Sequence, residues 1–248
     1  MTSYPSVLQI EPTTDCNFNC QMCLHASRPQ AAPAYFDSVA FARLAEEVFP
    51  HLKRLVLYGW GEPLLHPRFF ELLGVARSGL SSEATLFVTT NGSLLSHGVC
   101  ERLAGERLLD EIAISCDSIT PAGGAAPGHE EAIAAVLENI EYLNAHRNRA
   151  DLKIGIEATV MQSNFRGLPD MVERFGRYGI DYISVGHLYP YYENLADECL
   201  YCMLSAEALP ILEEIGERGL DLMSSSSRNF VNILNRQVPA EDEGSRQV

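Results

Sequence analysis

The strongest constraint in this 248-residue chain is a repeated alternation of short apolar runs with one-faced helical patterns. Val7 to Glu11 (VLQIE) reads as a first strand and Arg54 to Tyr58 (RLVLY) as a second. Thr85 to Thr90 is the third, Asp110 to Cys116 the fourth, Lys153 to Val160 the fifth and Ile180 to Gly186 the sixth. Between them, apolar residues recur at helical spacing: Phe41, Leu44, Ala45 and Val48 in a helix from about Asp37 to Phe49, then Phe69, Leu72, Leu73 and Ala76 in one from Pro67 to Arg77. Ser96 to Leu103 is a short helix. Ile133, Val136, Leu137, Ile140 and Leu143 mark a long one from His129 to His146, and Leu168, Met171, Val172 and Phe175 line the next. A further helix is expected near Ala206 to Glu217, and Leu220 to Met223 is a candidate seventh strand.

Strands separated by helices pair in parallel through right-handed crossovers. The pattern leaves a closed barrel, a partial barrel and a doubly wound sheet open. In all three, chemistry belongs to the loops at the carboxyl ends of the strands. Those loops are where the unusual residues fall. Cys16 to Cys23 follows strand one, Gly59 to Pro63 strand two, Asn91-Gly92 strand three, and Cys116 to Ser118 strand four.

Composition narrows the partners. Eighteen Lys and Arg against 33 Asp and Glu give a formal charge of −15, and no basic run offsets it. Such a surface repels phosphate backbones and anionic lipid, so general nucleic-acid binding is not expected. No stretch approaches the 18 apolar residues of a membrane span, and Met1 to Glu11 lacks a signal-peptide pattern. Seven cysteines, three of them crowded within eight residues, fit reduced thiolates in a cytoplasmic protein better than a disulfide scaffold.

Cys16, Cys20 and Cys23 form a CxxxCxxC loop able to aim three thiolates at one centre. Tetrahedral sulfur sites indicate zinc or iron–sulfur. A structural zinc takes four protein ligands, and His25 is available to complete a Cys3His site in a non-enzymatic interaction protein. On a four-iron cluster, three cysteines leave one iron free for an outside molecule.

CxxxCxxC directly after a first strand resembles the signature of the radical S-adenosylmethionine (radical SAM) superfamily. Gly59-Trp60-Gly61-Glu62-Pro63 resembles that family's GGEP segment, while Thr89 to Gly92 and Ile114 to Ser118 resemble its third and fourth strand ends. The resemblance covers about Val7 to Tyr189. It implies an α/β fold of the partial (β/α)6, TIM-like barrel type, with residues 1–223 as the core domain. Residues 224–248 are then a C-terminal extension whose last ten or so are flexible.

The resemblance further implies that Cys16, Cys20 and Cys23 hold a [4Fe–4S] cluster whose fourth iron binds S-adenosylmethionine. Reductive cleavage then gives a 5′-deoxyadenosyl radical, which takes a hydrogen from a peptide or small-metabolite substrate. A reducing partner such as flavodoxin or ferredoxin follows. The cofactor-binding candidates are Phe18 and Met22 as apolar cover, Gly59 and Gly61 for close backbone approach, and Glu62 as acceptor for the methionyl ammonium. Asn91 is a turn residue with a ligand contact, and Ser115 a donor to the methionyl carboxylate. Met22 departs from the aromatic residue the family commonly carries before its third cysteine, and Trp60 replaces the second glycine of GGEP.

Glu157 stands in strand five between apolar neighbours. Facing a barrel interior, it needs a partner: ribose, substrate or a basic group. His187, Tyr189, Tyr191 and Tyr192 follow strand six near the mouth. Cys199 and Cys202 form a CxxC that falls short of a second four-ligand cluster, with packing, zinc and substrate-directed roles all open.

Overall fold

The computed structural model describes residues 4–27, 32–119, 129–148, 151–191, 193–200, 210–211 and 232–233. Seven strands form one parallel sheet in sequential order: β1 Val7–Ile10, β2 Arg54–Leu57, β3 Thr85–Thr90, β4 Glu111–Ser115, β5 Lys153–Val160, β6 Tyr182–His187 and β7 Asn232–Ile233. Helices fill the crossovers: α1 Leu24–Ser27, α2 Ser38–Glu47, α3 Phe69–Gly79, α4 His97–Gly105, α5 His129–His146 and α6 Leu168–Arg177. The first six strands, in sequential parallel order with helices in the crossovers between them, are the partial TIM-like barrel expected from the sequence.

Two boundaries moved for local reasons, and the seventh strand lies elsewhere in the sequence. Helix α3 starts at Phe69 and not at Pro67, because a 3-10 turn at Pro63–Leu65 precedes it and the ring of His66 accepts the Arg68 N–H at 3.1 Å. Strand β6 starts two residues late, where buried Asp181 takes the Ile154 N–H at 2.7 Å. The seventh strand lies at Asn232–Ile233, pairing with Ser184 and Val185. The positions first expected to carry it, 220–223, are outside the described residues, as is most of the helix expected after β6.

Period-two alternation divides the sheet into two faces. Leu55, Leu57, Leu86, Val88, Ile112, Ile114, Ile154 and Ile156 join Phe41, Leu72, Leu73, Ile140, Leu143 and Phe175 of the helices in the main core. Val56, Phe87 and Ala113, with Tyr58 against them, form a separate cluster on the opposite, inner face. The helices are held in phase by caps: Asp37 accepts from the N–H groups of Val39 and Ala40, and Ser96 from that of Val99.

A buried ion pair ties the end of α5 to the residue before β6. Arg147 pairs with Asp181, and its guanidinium also donates to the carbonyls of Leu152 at 2.7 Å and Gly179 at 3.1 Å. Among the described residues, no helix is long and apolar enough to cross a membrane.

Candidate active site

The carboxyl ends of β1 to β3 are bolted to one another by carboxylates and backbone. Glu11, the residue after β1, accepts the N–H of Trp60 at 2.6 Å and of Gly61 at 3.1 Å on one carboxylate oxygen. The Glu62 N–H donates to the Asp15 carbonyl at 2.7 Å. Thr13, buried, donates to the Ala34 carbonyl and accepts the Asp15 N–H, both at 3.0 Å. These contacts deliver the chain to Cys16 in a set direction.

They also give the two glycines a packing role. A Cβ on Gly61 would stand 2.0 Å from the Thr13 carbonyl oxygen, and one on Gly59 2.4 Å from the Glu11 carboxylate. The space that glycine leaves at both positions is filled by the chain itself.

Glu62 is likewise turned inward. It is 2% exposed, and its carboxylate accepts from the Thr90 hydroxyl at 2.7 Å, the Asn91 N–H at 2.7 Å and the Leu64 N–H at 3.0 Å. Burial raises its pKa, partly offset by these donors. Three internal bonds make it a brace between the loops after β2 and β3.

Asn91 reaches the cysteine loop. Its amide donates to the Asn17 side-chain oxygen at 2.9 Å and lowers the Cys16 pKa slightly against the effect of burial, while Asn17 donates to Ser93 at 2.8 Å. Gly92 turns the chain here in the left-handed region at φ 77°.

Around the cysteines, the Phe18 N–H donates to the Cys16 sulfur at 3.5 Å and the His25 N–H to the Cys23 sulfur at 3.4 Å. Burial pushes the Cys20 thiol up to about 12, helped by Asp117, Cys23 and Cys16 in that order; Cys16 is also raised, first by burial. The three thiols thus lie within electrostatic reach of one another and of the β4 end. A cationic centre is what converts such thiols to thiolates, releasing protons as it binds. Among the described residues, no three His, Cys, Asp or Glu side chains converge closely enough to hold a single metal ion. The soft S3 donor set and its N–H···S bonds fit an iron–sulfur cluster.

Phe18 is half-buried. Met22 packs on Met161, Leu188 and Leu195 beyond β5 and β6, so the cysteine loop crosses the mouth of the barrel. Ser115 is exposed at the end of β4, beside Glu157 in register. Asp117 is engaged structurally, accepting the Thr159 N–H at 2.7 Å. Cys116 is buried, with its thiol pushed up to about 12, which makes it an inert packing thiol. Cys199 is buried against the Leu188 carbonyl at 3.7 Å; Cys202 and Tyr192 lie outside the described residues. His187, Tyr189 and Tyr191 are exposed at the end of β6.

Sequence reading missed Glu11, Thr13, Asn17 and Thr90 as parts of the site. The available signal was a carboxylate or hydroxyl at the last position of a strand, where the β/α layout already placed the chemistry.

The family model of the radical SAM superfamily matches residues 10–156, more than half the chain. The chain is 28% identical over 214 residues to the tungsten-containing aldehyde ferredoxin oxidoreductase cofactor-modifying protein of Pyrococcus furiosus, covering 84% of this chain and 58% of that protein. It is 27% identical over 179 residues to the AdoMet-dependent heme synthase of Methanosarcina barkeri, covering 70% and 48%. Streptococcus suis SuiB bound to precursor peptide SuiA superposes with a TM-score of 0.70 at 17% identity, over 92% of this chain and 49% of that one. The enzyme anSMEcpe with bound AdoMet gives 0.67 at 16%, over 91% and 61%. At these structural identities the likeness is one of fold, and the chain spans about half to three-fifths of the length of these proteins. Three coupled thiols on the loop after β1, braced by the glycine-rich loop after β2 at the mouth of a partial barrel, agree with the family match: this chain belongs to the radical SAM superfamily, whose cofactors are a [4Fe–4S] cluster and S-adenosylmethionine.

Proposed function

We propose that this protein is an enzyme that cleaves S-adenosylmethionine reductively and abstracts a hydrogen from a peptide or small-metabolite substrate, drawing electrons from a flavodoxin or ferredoxin. The observation that carries this reading is the coupling of Cys16, Cys20 and Cys23 on a loop held to the strand ends by Asp15, Asn17 and Asn91. Cys16, Cys20 and Cys23 would hold the cluster. When bound, cluster and S-adenosylmethionine supply one-electron cleavage and, through it, removal of a substrate hydrogen.

The protein's own residues do the positioning. Glu11 captures the N–H groups of Trp60 and Gly61, which fixes the peptide planes of the glycine-rich loop. Carbonyls of that loop are then available to a methionyl ammonium, whose desolvation is offset only by such acceptors. Ser115, exposed at the mouth, donates to the methionyl carboxylate. Phe18 and Met22 exclude water from the sulfur side, and low local polarity tunes the potential of a cluster. Asn91 holds Asn17 of the cysteine loop and favours the thiolate form of Cys16. Residues 1–223 form the catalytic core in this reading, and the 224–248 extension adds its strand Asn232–Ile233 to the sheet beside β6.

Anaerobic reconstitution tests it. About four irons and four sulfides per chain, an absorption band bleached by dithionite, and 5′-deoxyadenosine formed with reductant support the reading. One tightly held zinc and no affinity for S-adenosylmethionine would sink it.

A further inference from the structure

Strand β5 outruns its neighbour. The last β4–β5 pair is Ser115 with Glu157, and one more ladder bond follows it, from the Cys116 N–H to the Glu157 carbonyl at 2.9 Å. Along a strand every second residue turns its N–H and C=O to the same neighbour, so Thr159 faces β4 where β4 has already ended. Two side chains take over there. Asp117 accepts the Thr159 N–H at 2.7 Å, and the Asn164 amide donates to the Thr159 carbonyl at 2.8 Å.

Asn164 does more than fill that gap. It is 5% exposed, and the same amide donates to the Asp117 carbonyl at 2.8 Å while its oxygen accepts the Met161 N–H, also at 2.8 Å. One buried side chain therefore ties together Asp117 beyond β4, Thr159 in β5 and Met161 beyond β5. With the Asp117 carboxylate on the Thr159 N–H, the two strand ends are sewn at four points where backbone pairing alone would leave them loose.

Both groups held in this way meet the cysteine loop. Met161 is buried with Leu188 and Leu195, and Met22, the residue before Cys23, packs on that cluster. Asp117 lies within electrostatic reach of Cys20, whose thiol it helps burial to raise. Asn164 thus joins the seat of the Cys20–Cys23 arm to a carboxylate beside the same arm. A fixed negative charge near an iron–sulfur cluster opposes the arrival of an electron, because net charge around the sulfurs is one of the factors that set the potential.

From these contacts we infer that Asn164 is a positioning residue for the cluster: it seats the Cys20–Cys23 arm through Met161 and holds Asp117 as a fixed charge beside it, which keeps the cluster hard to reduce. The inference rests on the assignment of the cluster to Cys16, Cys20 and Cys23 made above. Asn164 acts through Asp117 and Met161, so its removal should be felt at the cluster as the loss of their placement.

The test is a redox titration of the anaerobically reconstituted, cluster-loaded protein, with the ratio of reduced to oxidised cluster read by visible absorption and EPR. Asp117→Asn keeps an oxygen that can accept the Thr159 N–H and removes the charge. It should raise that ratio at a given potential by about threefold or more, the scale of removing a unit charge from a partly desolvated position. Asn164→Ala should move the ratio in the same direction. Added to Asp117→Asn it should change the ratio less than twofold further, because the two substitutions act on one charge. Asn164→Ala should also release iron to EDTA at least threefold faster than the wild type. Asn144→Ala is the control: its amide donates to the Tyr178 carbonyl at 3.1 Å, at the end of α5 that feeds β5, and both readouts should stay within twofold of the wild type. Asn164→Ser is read against the same outcomes if the Ala variant does not fold. An unchanged ratio in Asp117→Asn overturns the inference, as does iron release from Asn164→Ala no faster than from Asn144→Ala. A second shift as large as the first in the double variant also overturns it. Failure of the wild type to load about four irons per chain would instead count against the cluster assignment, so the two failures are distinguishable.

Discussion

The hydroxyl of Thr90 donates to the carboxylate of Glu62 at 2.7 Å, joining residues 28 apart in sequence at the ends of two neighbouring strands. The same carboxylate takes the N–H groups of Asn91 and Leu64, so one buried side chain closes three loop segments over each other. Replacing Glu62 by Gln puts an amide NH2, itself a donor, where a carboxylate oxygen had accepted. A loss of about 1–3 kcal/mol is expected, the usual cost of leaving a buried polar group unmatched. Chemical denaturation of both proteins measures it, and an unchanged midpoint would show that the brace is dispensable.

Gly61→Ala should fail at the cysteine loop and not merely at the cofactor. The new Cβ would sit 2.0 Å from the Thr13 carbonyl oxygen and 2.8 Å from that of Asp15. The strand end leading to Cys16 must then move, so iron retention should fall severalfold. Gly74→Ala is the control: nothing lies within 4 Å of a Cβ there, and the site is in the middle of α3. That change should keep all iron and add about 0.5–1 kcal/mol of stability. Equal iron content in the two variants would refute the packing argument.

Single Ala substitutions of Cys16, Cys20 or Cys23 should abolish cluster retention, whereas His25→Ala should leave it largely intact. His25 meets the cluster loop through its backbone N–H to the Cys23 sulfur, a contact that survives truncation of the ring. Iron and sulfide analysis after anaerobic reconstitution decides the matter; loss of iron in H25A comparable to C20A would overturn the ligand assignment.

Asp181→Asn should be among the most damaging substitutions outside the site. It leaves the Arg147 guanidinium, whose side chain is 0% exposed, without its counter-charge. Breaking a buried pair by removing one partner costs about 3–5 kcal/mol. The loss should appear in the urea midpoint at every pH between 6 and 8.

Glu157 predicts a pH dependence with a definite sign. Its carboxyl is raised from 4.5 in the folded protein, chiefly by burial, so the folded state holds the proton more tightly than the unfolded chain does. The stability this contributes is present at low pH and declines as pH rises from about 4.5 through the folded-state value. Comparing urea midpoints of wild type and Glu157→Gln across that window should show the wild type losing ground as pH rises. A difference that is flat or grows in the opposite direction would contradict the burial of this group.

Much of the architecture was written locally. Apolar runs of strand length, helical periodicity and the CxxxCxxC spacing are properties of neighbouring residues, and β3, β5 and α5 fall where period and length alone placed them. The cysteine loop was legible for the same reason, since eight consecutive residues carry all three thiols. What sequence spacing could not convey is which side chain answers which across the barrel mouth. At Gly59 and Gly61 the room that glycine leaves is taken by Glu11 and Thr13. Glu62 is tied to Thr90 and Asn91. Glu11 was read only as the end of a strand, yet it holds the glycine-rich loop from 50 residues away. Local order follows from short-range sterics and periodic burial, which each segment carries within itself. The partner of a buried carboxylate is decided only when parallel strands bring distant loops to one end of the sheet and every desolvated polar group must find a donor there.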